Sequence, residues 1–426
     1  MYLVYDIFLT FVFIILSPYL FIRSLIEKQG ITERLGFLPR ATGENLMQKD
    51  LIWFHTASVG EVKILPPVIR FLKDKRPDLI VVVSSLTKTG RAEAKRILKD
   101  VQLVFHPPID LSFFVKRTVK KINPKALVLV ETEIWPNLIR EAKREGAKVF
   151  LINGRLSKKS QSVYLRFKKF FSLVLSFIDI LCMRTEEDAQ RIIRMGAAPD
   201  RTFVLGNLKF DQIAFDFSNH KKEKIKESLG IEKDSKLVVA GSIREGEEKA
   251  VLVAFSRLKK DFQNLSLIFA PRHMKGLKDT ENIMLSLGLS FIRKSRLKDQ
   301  KEKKDVVLLD TYGELSSLYS CADVAFVGGS LIPKGGHNIL EPAVFGVPVL
   351  FGPHTENFQS AKKIVLSSGG GIEVKDKDEL YLKLFSLLKD DRLREDLGQR
   401  VKKAVLSQRG FSEKTVDLIL KTLDER

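Results

Sequence analysis

The sequence predicts an α/β protein made of two doubly wound parallel sheets, and three observations carry that reading. From Leu51 onward, short apolar runs alternate with helical stretches, the signature of strands joined by helical crossovers. The alternation pauses near Phe203–Leu205, crosses a polar and charged stretch from Asp216 to Lys226, and restarts at Leu237. A chain of 426 residues is also too long for one core, and fits two domains of about 150–200 residues. Two such halves facing each other would place a ligand cleft between them.

Composition narrows the function without naming it. A hydrophobic content of 44% is enough for substantial cores. The formal net charge of +20 calls for an anionic partner or surface, whether nucleic acid, membrane or phosphorylated substrate. Cys182 and Cys321 are the only cysteines, and their spacing suggests neither a metal site nor a disulfide framework. None of the six histidines is paired at ligand spacing, so no structural metal is expected.

Taken in order, the first element is Tyr2–Ile22, 21 mostly aromatic and aliphatic residues, about the length that crosses a bilayer. No cationic residue precedes it and no small-residue cleavage site follows, which disfavours a removable signal. Arg23, Lys28 and Arg34 come after it and would hold the rest of the chain on the cytoplasmic side. Asp6 and Pro18 weaken a spanning reading, and an amphipathic helix buried on the protein fits the same residues. Residues 1–30 are therefore expected to anchor the chain, 31–215 to form the first domain and 216–426 the second. Strands are expected at Leu51–Phe54, Leu79–Ser84, Leu103–Phe105, Ala126–Val130, Lys148–Ile152, Ile180–Met183 and Phe203–Leu205. In the second half they are expected at Leu237–Ala240, Leu265–Ala270, Phe291–Ile292, Val306–Leu309, Val324–Val327 and Val347–Phe351. The basic run from Arg293 to Lys304 reads as an exposed loop or strand end.

Polar clusters follow these strands, where such folds keep their chemistry. After the first comes Ser58-Val59-Gly60-Glu61, whose carboxylate falls at a helix start. A helix N-terminus favours the charged form, so Glu61 would be ionised and able to act as a base. The same spacing describes a capping box, and the sequence leaves both open. Glu131 and Glu133 follow the fourth strand, with Glu133 also readable as a cap. Asn153-Gly154-Arg155 and Asn207-Leu208-Lys209 add cations. In the second half, Pro271-Arg272-His273 and Thr311-Tyr312-Gly313-Glu314 follow strands, and the Arg272 fork suits a phosphate. Gly328-Gly329 and Gly335-Gly336, leading to Asn338 and Glu341, suggest backbone close to an anion and a carboxylate facing sugar hydroxyls.

Several of these stretches, in order, resemble the 3-deoxy-D-manno-octulosonic acid (Kdo) transferases of lipopolysaccharide synthesis, a family of GT-B glycosyltransferases with two Rossmann-like domains. The resemblance runs to about Ser407. It rests on Glu33–Gly36, His55–Glu61, Glu131–Pro136, Asn153–Leu156, Gly206–Lys209, Pro271–His273, Gly313–Leu315 and Gly336–Pro342. It implies Glu61 as general base, with Glu131 and Lys209 assisting the transition state. Cytidine monophosphate would be held by Pro271, Arg272, Tyr312, Gly313, Glu314, Asn338, Ile339, Leu340 and Glu341. The chain departs from the family pattern at Gly241–Glu245, so no role carries onto Ile243 or Arg244.

The activity implied is inverting, metal-independent transfer of Kdo from CMP-Kdo, a donor substrate rather than a cofactor, to a lipid A precursor at the inner membrane. No cofactor and no nucleic acid are expected. Lys158, Lys159, Arg166, Lys168 and Lys169 interleave with Tyr164, Phe167, Phe170 and Phe171, a pattern suited to an anionic membrane surface or to a helix with one buried face. Alternatives are another sugar-nucleotide enzyme of this fold, such as an epimerase or different glycosyltransferase, and nucleic-acid binding, which explains the charge but not the strand-end carboxylates.

Overall fold

The computed structural model describes residues 1–27, 30–38, 50–212, 219–299 and 304–425; side chains at 19–27, 158, 212, 219–221 and 298–299 are outside that description. The chain divides into two compact units, residues 1–212 with 408–426, and residues 213–407.

In the first unit, a parallel sheet is built from β1 (Leu51–Thr56), β2 (Ile80–Ser85), β3 (Leu103–Phe105), β4 (Ala126–Val130), β5 (Lys148–Gly154), β6 (Ile180–Met183) and β7 (Thr202–Val204). Its order is β3-β2-β1-β4-β5-β6-β7. Every residue of β1 and β4 is buried, as central strands covered on both faces by helices must be. Successive side chains go to opposite faces. Trp53, Leu127 and Leu129 thus join one core, while Ile52, Phe54 and Val128 join the other.

The second unit repeats the plan with β8 (Lys236–Ile243), β9 (Leu265–Pro271), β10 (Phe291–Arg293), β11 (Val306–Leu308), β12 (Val324–Val327), β13 (Val349–Phe351) and β14 (Gly371–Glu373). The order is β10-β11-β9-β8-β12-β13-β14, again parallel. The short edge strand β14 carries no apolar run and was not expected.

Two boundaries differ from the sequence reading. The polar stretch expected as a linker is helical over Asn219–Ser228, with residues 216–218 outside the described residues. The last helix, Phe411–Asp424, belongs to the first unit and not the second. Val416 and Ile419 place it there, because they pack in the core that holds Phe54 and Val128. Gly206 is required beneath this helix: its φ is 106°, and the Phe411 ring occupies the space a β-carbon would need.

The N-terminal helix runs from Tyr2 to Glu27, and Pro18 lies inside it. Its first half is docked on the first unit: Tyr5 donates to Asp110 at 2.9 Å, and Asn137 donates to Asp6 at 2.6 Å. Among the described residues no helix is long and apolar enough to cross a membrane. Lys28 and residues 300–303 of the basic run lie outside the described residues, as do the side chains of Arg23 and Lys158.

The assignment of the last helix predicts a stability effect. Ile419→Ala removes a buried side chain from the first unit and should cost about 2–4 kcal/mol. Both tryptophans, Trp53 and Trp135, lie in that unit, so their fluorescence reports its unfolding. A urea midpoint unchanged by the substitution would show that the helix is not part of that core.

Candidate active site

Open parallel sheets bind ligands at the carboxyl ends of the strands where the strand order reverses. In the first unit that point lies between β1 and β4, and both strands end in carboxylates. Beyond β1 the chain makes a four-residue helix, Val59–Val62, carrying Glu61, only 7% exposed. Its Oε2 accepts the Ala57 amide at 2.5 Å and its Oε1 accepts the Ser58 hydroxyl at 2.9 Å. This is not the capping box, since Ser58 makes no side-chain cap. The expected low pKa is also reversed: burial, with Glu133 and Glu131 adding to it, pushes the Glu61 carboxyl up to about 7.

Glu131, the first residue beyond β4, adopts a left-handed backbone with φ 62°. Such a conformation costs a non-glycine residue about 1–3 kcal/mol and collects at functional sites. Its carboxylate pairs with Arg184 and lies 3.3 Å from Lys209 Nζ. Asn153, also left-handed at φ 53°, ties this corner together. Its Oδ1 accepts the Leu208 amide at 3.1 Å and its carbonyl accepts Arg184 Nε at 3.2 Å. The cations after β6 and β7 thus converge on Glu131.

Glu133 accepts the Trp135 indole N–H at 2.9 Å and is not a helix cap. Burial, with Glu131 nearby, pushes its carboxyl up. His55 Nε2 lies 3.8 Å from it without forming an ion pair, because full burial drives the His55 imidazole down to about 3. Ser84 holds that ring through Nδ1 at 2.9 Å. Glu33 of the Glu33–Gly36 stretch serves the fold, accepting from Arg91 at 2.7 Å and from the His106 amide at 2.8 Å.

In the second unit the reversal lies between β8 and β12, and one buried carboxylate joins their tips. Glu247 accepts the amides of Arg244 (3.0 Å), Gly329 (2.5 Å), Ser330 (2.9 Å) and Leu331 (2.8 Å). The glycine loop after β12 is therefore wrapped around the protein's own carboxylate, and Gly336 donates to the Gly329 carbonyl at 2.7 Å. Those amides are not the anion contacts that the sequence suggested. The helix after them is also short, Leu340–Ala343.

Charged side chains gather beside this loop. Arg272 follows Pro271 at the tip of β9, and its amide donates to Ile243 at 2.8 Å. Arg244 Nε donates to His337 Nε2 at 3.2 Å. Burial, then Arg272 and Arg244, drives His337 down to about 4 and keeps it neutral. Neither guanidinium forms an ion pair among the described residues. Glu341 bonds to Asn338, and burial pushes its carboxyl up against the pull of Arg272. Arg272, Asn338 and Glu341 are thus one cluster. Ile339 and Leu340 are buried, leaving only their backbones for a ligand. Tyr312 is 75% exposed, Gly313 is left-handed at φ 87°, and Glu314 pairs with Lys294 and Thr311. Among the described residues no hydrogen bond or ion pair joins this turn to Glu341.

The sequence reading passed over Arg184 and Glu247. Arg184 follows the strand Ile180–Met183, so the strand-end rule would have found it. Glu247 looks like an ordinary helix start, and only the fold shows what it holds.

Comparison with known proteins identifies the family. The sequence model of 3-deoxy-D-manno-octulosonic-acid transferase (kdotransferase) matches residues 29–212. A 3-deoxy-D-manno-octulosonic acid transferase of Haemophilus influenzae is 30% identical over 399 residues, 93% of this chain and 92% of that one. The chain belongs to the Kdo transferase family. It is therefore a Kdo-transferring glycosyltransferase. A bifunctional glycosyltransferase/methyltransferase of Fusobacterium nucleatum is 34% identical over 353 residues, and this chain spans 54% of its length. A UDP-GlcNAc 2-epimerase structure from Neisseria meningitidis covers 87% of the chain and is itself covered in full, with TM-score 0.59 at 14% identity, a likeness of GT-B fold alone.

Within this Kdo transferase, Glu247→Ala should strip an acceptor from buried amides and cost about 3 kcal/mol or more. Hydrogen exchange at Gly329, Ser330 and Leu331 should accelerate in the variant. Unchanged protection there would mean that Glu247 does not hold the loop.

Proposed function

We propose that the enzyme transfers Kdo from CMP-Kdo to a hydroxyl of a lipid A precursor, with inversion and without a metal, Glu61 serving as general base at the inner membrane on its cytoplasmic side. The observation that carries this reading is Glu61 itself, a carboxylate poised near neutrality at the tip of β1. A base whose pKa lies near the working pH combines sufficient ionisation with sufficient proton affinity. The acceptor hydroxyl gives its proton to Glu61 as its oxygen bonds to the anomeric carbon. The bond from that carbon to the phosphate oxygen breaks, and its electron pair leaves with CMP. Lys209 and Arg184 offset Glu131, so that further negative charge is tolerated beside Glu61.

The second unit supplies the donor side. CMP-Kdo carries a phosphate and a sugar carboxylate, and Arg244 and Arg272 offer two guanidiniums outside any ion pair among the described residues. Glu341 would accept hydrogen bonds from the ribose. Asn338 bonds to it, Ile339 and Leu340 offer backbone, and the Pro271 and Tyr312–Glu314 turns border the nucleotide.

Two measurements test this. Because its carboxyl is pushed up to about 7, Glu61 should lose activity as a base on acidification, turnover falling about tenfold per pH unit below that value. Glu61→Gln should retain its melting temperature and CMP binding while turnover falls by about 10²–10⁴-fold. A Gln variant at full rate excludes Glu61 as the base, and a wild-type acidic limb near 4.5 excludes its raised pKa. For the donor side, Glu341→Ala should weaken CMP binding in calorimetry by about 1–3 kcal/mol. Equal affinity in both proteins would place the ribose elsewhere.

A further inference from the structure

The N-terminal helix has two sharply different faces. Tyr2, Tyr5, Asp6 and Phe13 turn toward the first unit. Tyr2 packs on Phe170 at 5.3 Å and donates to the Pro136 carbonyl at 3.2 Å, while Phe13 meets Phe114 at 5.7 Å. Asp6, the residue that argues against lipid, also lies 3.5 Å from Arg140. The opposite face holds Leu3, Ile7, Phe8, Phe11, Ile14 and Ile15, each between 58% and 72% exposed.

This face does not end with the helix. Phe113, 70% exposed, stands next to Phe114 at one flank. Phe167, 62% exposed, stands near Phe170 at the other. The helices that bear Phe113 or flank Phe167, Ser112–Ile122, Lys158–Arg166 and Lys168–Leu175, contain no aspartate or glutamate. Their exposed cations include Lys116, Arg117, Lys159, Arg166, Lys168 and Lys169. An apolar strip rimmed by cations, with its one acid turned inward, is complementary to an anionic lipid surface.

We infer that residues 2–15 lie in the plane of an anionic bilayer surface, seating the first unit on the lipid, rather than crossing the bilayer as a span. Docking from Tyr2 to Phe13 covers about 18 Å of helix at 1.5 Å per residue. For that stretch to cross, Asn137, Arg140 and the helix that carries them would have to enter the hydrocarbon beside it, at prohibitive cost. Lying flat leaves Asp6 paired and puts only the apolar face into lipid. The inference needs no turnover, so it stands or falls apart from the catalytic reading.

The test uses the full chain with vesicles of phosphatidylethanolamine and phosphatidylglycerol. Cysteine replaces Leu3, Ile7, Phe11 or Ile15 singly and carries a nitroxide; the native Cys182 and Cys321 are buried. An in-plane helix gives all four labels one depth, about 5–10 Å into the headgroup boundary. A span gives depths that change by about 6 Å per step of four residues, and overturns the inference. Labels that stay outside the lipid, including labels buried against a second copy of the chain, overturn it as well. In parallel, Ile7→Glu should weaken vesicle binding about ten- to a hundredfold with the melting temperature unchanged. Undiminished binding by that folded variant would remove the face from the contact.

Discussion

A carboxylate withdrawn from water needs donors for its oxygens, and the two sheets meet that need in opposite ways at equivalent places. At the tip of β8, Glu247 is filled by four backbone amides and is completely buried. It fastens β12 to β8 and leaves nothing to react. At the tip of β1, Glu61 has one amide and one hydroxyl, with two further carboxylates close enough to act on it. Buried, underfilled and crowded by like charge, it keeps its affinity for a proton. Structural and chemical carboxylates thus arise from one position in the fold, separated by the number of donors each receives.

The backbone marks the same tips. Glu131 and Asn153 in the first unit and Ser242 in the second are non-glycine residues held left-handed just beyond β4, within β5 and within β8. Asn123, the remaining such residue among the described ones, only ends a helix. At Glu131 the strained turn aims the carboxylate at Arg184 and Lys209 rather than along the strand. Rigid strands on both sides hold that conformation, because a parallel sheet with both faces covered has little room to relax.

Much of the fold was legible because its strands are apolar runs bounded by helices. β1, β4, β9 and β12 are unambiguous in that respect, whereas Gly371–Glu373 has one apolar residue and joins the sheet only by pairing with β13. The final helix looks like a natural end to the second half; its place follows from tertiary packing of Val416 and Ile419, which periodicity cannot assign to a partner. For the site, residue types after strands located Glu61, Glu131 and Lys209. The protonation of Glu61 was not legible. A helix start argues for a low carboxyl pKa, but a four-residue helix has little dipole to offer and burial outweighs it. The first glycine pair misled for a related reason: a sequence shows that amides can approach an anion, not that Glu247 will be the anion.

Asp6 shows how one charge orders a whole element. In a uniformly apolar helix every rotation about the axis is equivalent, and nothing decides which residues meet the protein. A single carboxylate breaks that degeneracy, because only one rotation brings it to Asn137 and Arg140. Leaving it unpaired against lipid would cost far more than any loss in apolar contact. Tyr2 and Tyr5, on the same side, are then carried to Pro136 and Asp110, while the aliphatic residues are turned outward. The Asp6 contacts reach the helix Pro136–Arg144, which begins directly after Glu133 and Trp135. The N-terminal helix is thereby joined, through one helix, to the β4 tip where the carboxylates gather.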